Sequence, residues 1–497
     1  MAQESPPHGP AHPSAEHHHE GHGPPVSRRW ATLALLCMAQ FLLIVDVTVI
    51  NVALPAVGDA LDLSAGQLTW AVTAYTLCFG SLLLLGGRAG DHFGHKRTFL
   101  AGLLIFTAAS LMSGLADSGG TLIAARAAQG VGAALLSPAA MAIITFMFDG
   151  PERHRALGIW AAIGGSGAAF GVLLGGLLTT SLGWEWIFFI NIPIGAVVFL
   201  CVAVLLNERE APHLGHHQKS PKGVDPVGAL TMIAAPGLLI YGLVQARDHG
   251  FGSAAVLLPL LGAVVCAGAF IATERSVRVP LVRLSVLTRR NLVGGSLVML
   301  SASGVLISLF FLCSLYLQHV LGLSAMRTGL VFLPVAIAIT LGAHVGSQVI
   351  GKIGWRPAAI TGFALAAVGG LLLARAGNSG SAWTQVLPGF LVAAVGLGLG
   401  FVCATTSAMT DVPHQDMGLT SGLVNTFHEL GSALGVAIMA AVAGASLETG
   451  GSAVPPASGF SRAFVACAVI SLITAAAASL LLPRGRPDPS QGPVFAH

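Results

Sequence analysis

Between Trp30 and Pro483 the chain alternates apolar blocks of about twenty residues with short polar interruptions. A block of that length matches about 30 Å of hydrocarbon crossed at about 1.5 Å per residue, and a helix is the form that satisfies its own backbone polar groups there. The pattern predicts fourteen spans, near 32–52, 69–87, 98–117, 121–147, 156–180, 187–206, 227–246, 254–273, 291–317, 327–350, 357–376, 385–406, 417–446 and 460–482. The expected fold class is therefore all-α and integral to the membrane.

Composition agrees: 54% of the residues are hydrophobic and 9% charged, against roughly 25% charged in a soluble domain. An even number of spans puts both termini on one face, and the basic residues choose the face. With the termini in the cytoplasm, nineteen Lys and Arg fall in cytoplasmic tails and loops and four (Arg247, Arg327, Arg375, Arg462) on the other side. The remaining one, Arg126, falls inside a span. The net charge of +3 is thus a matter of topology, and no basic patch with interleaved aromatics points to nucleic acid. The expectation is a multi-pass plasma-membrane protein, embedded in the lipid bilayer as a monomer.

The seven cysteines lie on separate spans without metal-ligand spacing and read as small packing residues. Residues 1–31 form a Pro-, Gly- and His-rich tail with no apolar core of a signal peptide, so the first helix serves as an uncleaved targeting signal. His8, His12, His17, His18, His19 and His22 leave two readings open, a disordered low-complexity tail or a transition-metal binder.

Spans one to six and nine to fourteen have similar length and spacing, which divides the chain into a six-helix half at 32–206, a segment of linkers and two additional helices at 207–290, a second half at 291–482 and a tail at 483–497. The loops carry an echo of the duplication. Gly86 to Lys96 and Gly346 to Arg356, 260 residues apart, share Gly86/Gly346, Phe93/Ile353, Gly94/Gly354 and Lys96/Arg356. Parallel repeats of this kind build two-half transporters. The inserted pair has no ionisable group at mid-depth and reads as peripheral.

Ionised residues inside a bilayer cost about 2.5–3.5 kcal/mol and survive in a polar cavity or a pair, which makes them the first candidates for function. Asp46 sits about 21 Å from the cytoplasmic side on the first helix and Arg126 about 8 Å below the outer face on the fourth, so opposite charges share one depth and are expected to approach each other. Two readings stand: a fixed ion pair that joins helices, or a carboxylate that takes up a proton when Arg126 withdraws. Glu429, near mid-depth on the thirteenth span, is a second candidate for proton coupling, for recognition of a cation, or for a protonated structural glutamate. His428 points about 100° away from it, and His344 reads as a hydrogen-bonded interior histidine. Gly167, Gly171 and Gly175, with Gly164 and Gly176 beside them, form a helix-packing face on the fifth span; Gly418/Gly422 and Gly431/Gly435 repeat it on the thirteenth. No phosphate-binding loop, HExxH or GxSxG occurs, so neither an ATP-driven machine nor an enzyme is expected.

These residues resemble the major facilitator superfamily, specifically its fourteen-span drug:proton antiporters, over nearly all of 32–482. The stretch from Asp46 to Pro55 looks like the family's first-helix motif, Trp70 and Tyr75 match the start of its second helix, and Gly87 to Lys96 is similar to its cytoplasmic loop signature. Arg126 with Gln129 and Gly130 resembles the fourth-helix motif implicated in proton coupling, and Trp184 to Gly195 looks like a motif of this branch. The chain departs at His92 and His95, where arginines are usual, at Val172, where the fifth-helix antiporter motif has proline after Gly171, and at Glu429, where glutamine is common.

The resemblance implies the major facilitator fold, two six-helix halves plus two extra helices, and export of a hydrophobic or amphipathic small molecule in exchange for protons. The proton-motive force would drive it, with no cofactor and no metal. Asp46, Arg126 and Glu429 would couple protons. Gly87, Asp91, Gly94, Lys96 and Arg153 would form a conformational gate, and Thr48, Asn51, Trp70, Tyr75, Gln129 and Asn425 would line the substrate cavity. A proton-coupled importer, an uncoupled facilitator and a transporter-derived membrane sensor are the alternatives.

Overall fold

The computed structural model describes residues 26–148, 150–206, 226–250, 252–277, 280–282, 284, 286–377, 380–413, 416–444 and 457–485. The His-rich tail, the linker at 207–225 and the last residues from 486 lie outside them, as do Arg278 and Arg283 of the cytoplasmic count.

Helices account for nearly all of the described chain. The first half holds α1 (Val26–Ala60), α2 (Ala65–Phe93), α3 (His95–Gly114), α4 (Gly119–Met147), α5 (Gly150–Ser181), the short α6 (Trp186–Phe189) and α7 (Asn191–Leu205). The inserted pair is α8 (Pro226–His249) and α9 (Ala254–Ser276). The second half holds α10 (Arg290–Leu315), prolonged by a π-helical turn at Tyr316–Val320, then α11 (Ala325–Ile353), α12 (Trp355–Leu373), the short α13 (Ala382–Gln385), α14 (Leu387–Met409), α15 (Met417–Ala443) and α16 (Ala457–Leu481). Among the described residues thirteen helices are long and apolar enough to span a membrane, with α6 and α7 joined as one. The fifth predicted span lies on α5, whose described apolar stretch is Gly167–Ser181.

The echo between the loops is structural. Gly94 and Gly354 each break the chain for a single residue, at φ 93° and 87°, a region that favours glycine, so that α3 follows α2 and α12 follows α11 without a longer connection. Lys96 Nζ donates to the carbonyls of Ala203, at 3.0 Å, and Leu206, while Arg356 donates to those of Leu480 and Leu482. Each cation thus holds the carbonyl end of the sixth span of its own half, where the helix dipole favours positive charge. Arg28 and Arg290, at the start of each half, reach the same two helix ends through Val204 and Leu480.

The halves meet along two seams, α2 against α15 and α5 against α11. At the end where α1 finishes, here the far end, they are tightly joined. A Cβ on Gly176 would lie 2.8 Å from the Ala325 carbonyl and one on Gly329 2.6 Å from that of Val172. The Met326 amide donates to Thr180 Oγ1 at 3.2 Å, and Gln318 Nε2 donates to the Val52 carbonyl at 2.9 Å. The opposite, near end carries polar stripes instead. Thr340, His344 and Gln348 are exposed at four-residue spacing on α11, as are Ser421 and Asn425 on α15. Polar side chains exposed within membrane spans line water-filled space rather than lipid, so the bundle opens at the near end. His344 accordingly belongs to this mouth, 3.2 Å from Gln348 Nε2, and is not interior.

The inserted pair is only half peripheral. Helix α9 packs chiefly on α8, but α8 lies along the α2–α15 seam, where Leu77, Ile240, Ala433 and Ala437 form one buried cluster. Apolar matching against both halves, rather than mid-depth charge, decides its place.

Glycine at the helix crossings is steric. A Cβ at Gly435 would meet the Gly304 carbonyl at 2.3 Å, whereas at Gly418 it would meet nothing within 4 Å. Gly435→Ala should lose about 1–3 kcal/mol of stability, and Gly418→Ala should be neutral, as read by thermal unfolding of the detergent-purified protein.

Candidate functional site

Asp46 and Arg126 form an ion pair with both side chains 1% exposed. Arg126 Nη1 donates to Asp46 Oδ2 and, at 3.0 Å, to Gln129 Oε1. Asp46 Oδ1 accepts from Gln129 Nε2 at 2.9 Å and from Asn191 Nδ2 at 3.2 Å. Ser113 Oγ donates to Gln129 Oε1, and Asn191 Nδ2 is also 2.9 Å from Ser110 Oγ, which donates to the Phe188 carbonyl. Arg126 Nε donates to the Ala71 carbonyl at 3.2 Å, and its Cζ lies 4.6 Å from the centre of the Tyr75 ring. Desolvation of both ions is offset only because their lone pairs and protons find partners.

Local sequence explains how these groups converge. Arg126 and Gln129 stand three residues apart and share a face of α4. Gly130 lets that face approach α2, since a Cβ there would lie 2.4 Å from the Tyr75 carbonyl. Gly195 does the same between α7 and α3, 2.3 Å from Thr107 Oγ1, and so sets Asn191 against Ser110. Asn191 falls in the Trp184–Gly195 motif but has no role of its own in the sequence reading, and Ser110 has no place in it. Their signal was available, because each is an uncompensated polar side chain within an apolar span.

Glu429 is placed differently. It packs on the α2–α15 seam, where a Cβ on Gly80 would lie 2.6 Å from its own Cβ. Its side chain is 13% exposed and its carboxylate is 3.3 Å from His428 Nδ1; among the described residues no Lys or Arg pairs with it. The Tyr75 hydroxyl is fully buried and has no hydrogen-bond partner among the described residues.

The sequence profile of the Major Facilitator Superfamily matches residues 36–436, most of the chain. The chain belongs to this superfamily. It is 37% identical over 461 residues to a cephamycin export protein of Amycolatopsis lactamdurans, covering 92% of this chain and 93% of that one. It is 38% identical over 465 residues to a lincomycin resistance protein of Streptomyces lincolnensis, with 92% of each covered. Among solved structures, a bacterial homologue of the human lysosomal transporter Spinster in an inward-facing conformation superposes with TM-score 0.66 at 18% identity, over 94% of this chain and 100% of that one, a likeness of fold. A multi-pass transporter rather than an enzyme is what this membership establishes.

The superfamily loop between α2 and α3 is held by local contacts. Asp91 lies 3.6 Å from His95 Nε2, one turn on, and a Cβ on Gly90 would meet the His95 ring at 2.6 Å. Arg88 donates to the carbonyls of Pro280 and Leu281 in the segment leading to α10, and Arg153 Nε donates to the Phe148 carbonyl at 2.8 Å. Gly87 faces Pro138 of α4 at ordinary contact distance, 3.9 Å from its Cβ.

The cavity candidates separate. Tyr75 and Gln129 join the ion pair, and Asn425 is exposed in the near-end mouth. Thr48 donates to the Ile44 and Val45 carbonyls and lies against α5, where a Cβ on Gly171 would fall 1.8 Å from its hydroxyl. Asn51 is buried and donates to the Val47 carbonyl, and Trp70 packs with the α8 cluster. The Gly167 and Gly175 faces likewise rest on α1, at Ile44 and at Val49 and Val52.

Removing one member of the buried pair strands the other. Arg126→Leu should lower stability by about 3–5 kcal/mol, and the double variant Asp46→Leu/Arg126→Leu should recover most of it. Thermal unfolding of the four proteins in one double-mutant cycle measures the coupling.

Proposed function

We propose that the chain exports a hydrophobic or amphipathic small molecule, an antibiotic or secondary metabolite, across the plasma membrane in exchange for protons moving inward. The observation that carries this reading is the Asp46–Arg126 pair, a carboxylate neutralised by a single guanidinium inside a membrane bundle. A proton on Asp46 removes the charge that Arg126 answers. Arg126 then turns to other acceptors, and the hold that joins α1 to α4 loosens. Deprotonation restores it. The names of the cephamycin and lincomycin relatives support outward transport of such molecules.

The near end corresponds to the cytoplasm by the charge count, so the opening toward it is the loading state and the far-end contacts are the closed outer gate. Alternating access would exchange the two by rocking the halves about the α2–α15 and α5–α11 seams. Asp91, in the loop at the cytoplasmic mouth, belongs to this rocking and not to substrate contact. One proton driven through 100 mV supplies about 2.3 kcal/mol and each pH unit about 1.4 more, enough for a gradient of order a hundredfold. An uncoupled facilitator is a second reading, favoured by α5, which runs without a proline from Pro151 onward and carries Val172 where the antiporter motif has one.

Uptake of radiolabelled lincomycin or cephamycin into inverted vesicles is expected to follow an imposed proton gradient and to fall to background in Asp46→Asn while the protein stays folded in the membrane. Gradient-driven uptake at the wild-type level in that variant would overturn proton coupling at Asp46, and uptake indifferent to the gradient in the wild type would select the facilitator.

Asp91→Asn should lower turnover by about tenfold while changing substrate affinity by less than about twofold. Equal losses in both, measured by transport kinetics and equilibrium binding, would place Asp91 at the substrate instead.

A further inference from the structure

At the near end of the second half, cations gather that no acid answers. Arg290, at the start of α10, and Arg356, at the start of α12, both donate through Nη2 to one carbonyl, that of Leu480 in the last turn of α16, Arg356 at 3.3 Å. Arg356 Nε also donates to the Leu482 carbonyl. Arg484 is exposed two residues beyond Leu482, and Lys352 is exposed four residues before Arg356. Among the described residues no carboxylate pairs with any of these four, whereas neighbouring Arg289 has Asp416 at 2.9 Å. The carbonyl end of a helix offers about half an elementary charge, so most of the positive charge is left over. Each guanidinium keeps N–H donors to spare, and two forks that share one carbonyl oxygen stand within reach of one phosphate.

The surface that leads away from this corner is apolar. Helix α16 lies between α10 and α12: a Cβ on Gly294 would fall 3.1 Å from the Leu481 carbonyl, and one on Gly370 3.1 Å from that of Phe464. The outer side of α16 exposes Val469, Leu472, Ile473 and Leu480 at helical spacing. From Val469 to Leu480 the stripe runs about 16 Å at about 1.5 Å per residue, close to the roughly 15 Å of hydrocarbon in one leaflet. Leu480, the most exposed of the four, is the residue whose carbonyl both arginines hold. Charge and apolar surface thus run together, which fits a lipid better than a free phosphate.

We propose that Arg290, Arg356 and Arg484, over the outer stripe of α16, bind an anionic phospholipid of the near-end leaflet, its phosphate between the guanidiniums and its acyl chains along the stripe. Arg290 and Arg356 come from the helices on either side of α16, so one phosphate ties α10 to α12 across the end of α16. A zwitterionic lipid carries its own cation and answers the surplus charge less well. The site is independent of the exported molecule and of proton coupling.

The test is binding of phosphatidylglycerol to the full chain in neutral detergent, read by native mass spectrometry and by thermal unfolding, with phosphatidylcholine and glycerol 1-phosphate as comparisons. The anionic lipid should bind saturably and raise the unfolding temperature, and neither comparison should do so at the same concentration. A basic residue near a membrane surface contributes about fivefold to the affinity for anionic lipid, so Arg484→Gln should weaken binding about fivefold and Arg290→Gln/Arg356→Gln about twentyfold or more. Because Arg484 is exposed, Arg484→Gln should unfold at the wild-type temperature in lipid-free detergent, which separates loss of binding from loss of fold. Arg375→Gln, exposed at the far end, should bind as the wild type does. Equal binding of the two lipids, or wild-type affinity in Arg484→Gln or in a folded double variant, would overturn the site. Equal stabilisation by glycerol 1-phosphate would overturn the lipid as occupant, and a loss in Arg375→Gln as large as that in Arg484→Gln would reduce the effect to unspecific attraction.

Discussion

An ion pair kept away from water constrains the whole first half of this transporter. Asp46 and Arg126 are both buried, and each would be costly alone in an apolar bundle. Their neighbours follow from that cost. Gln129, Asn191, Ser110 and Ser113 supply the donors and acceptors that the ions would otherwise find in water, and they come from α3, α4 and α7. Glycine lets these helices close up, α4 on α2 at Gly130 and α7 on α3 at Gly195. A polar network of this kind is cooperative, so a proton that cancels one charge alters the partners of every member.

The second half meets the first along seams that are equivalent by the internal repeat and unequal in chemistry. On α5 and α11 the contact is backbone against glycine, at Gly176 and Gly329, and it closes the far end. On α2 and α15 glycine serves a different purpose: Gly80 makes space for a glutamate. The inserted helix α8 covers only that second seam. The pair of extra helices therefore breaks the symmetry of the halves on the side where Glu429, a carboxylate with no Lys or Arg partner among the described residues, lies. The rocking proposed above would slide close-packed backbones on one side and move the Glu429 side chain past Gly80 on the other.

At the near end, cations and carbonyls do the fastening. Lys96 and Arg356 hold the ends of α7 and α16, and Arg88 holds the segment before α10. The loop signature that joins α2 to α3 is thus a device for tying helix ends. Its departure at His95 leaves Asp91 beside an imidazole, whose charge depends on its protonation, rather than a guanidinium.

The spans, their number and the repeat were legible along the chain because bilayer thickness is a one-dimensional constraint: each crossing must be apolar for about twenty residues wherever it packs. The same logic made Asp46, Arg126 and Glu429 stand out, since a charge inside such a run is anomalous without any knowledge of its neighbours. Matched depth even pointed Asp46 toward Arg126. What a depth cannot give is the direction a side chain faces around its helix. Thr48 and Asn51 share the helix of Asp46, yet one lies on α5 and the other turns to its own backbone, while Asn191, far along the chain, completes the Asp46 cage. Only the packed bundle decided that His344 stands in an open mouth, that α8 seals a seam, and that Gly80 and Glu429 meet. These depend on which helix faces come together, a choice made by the fit of side chains from segments hundreds of residues apart.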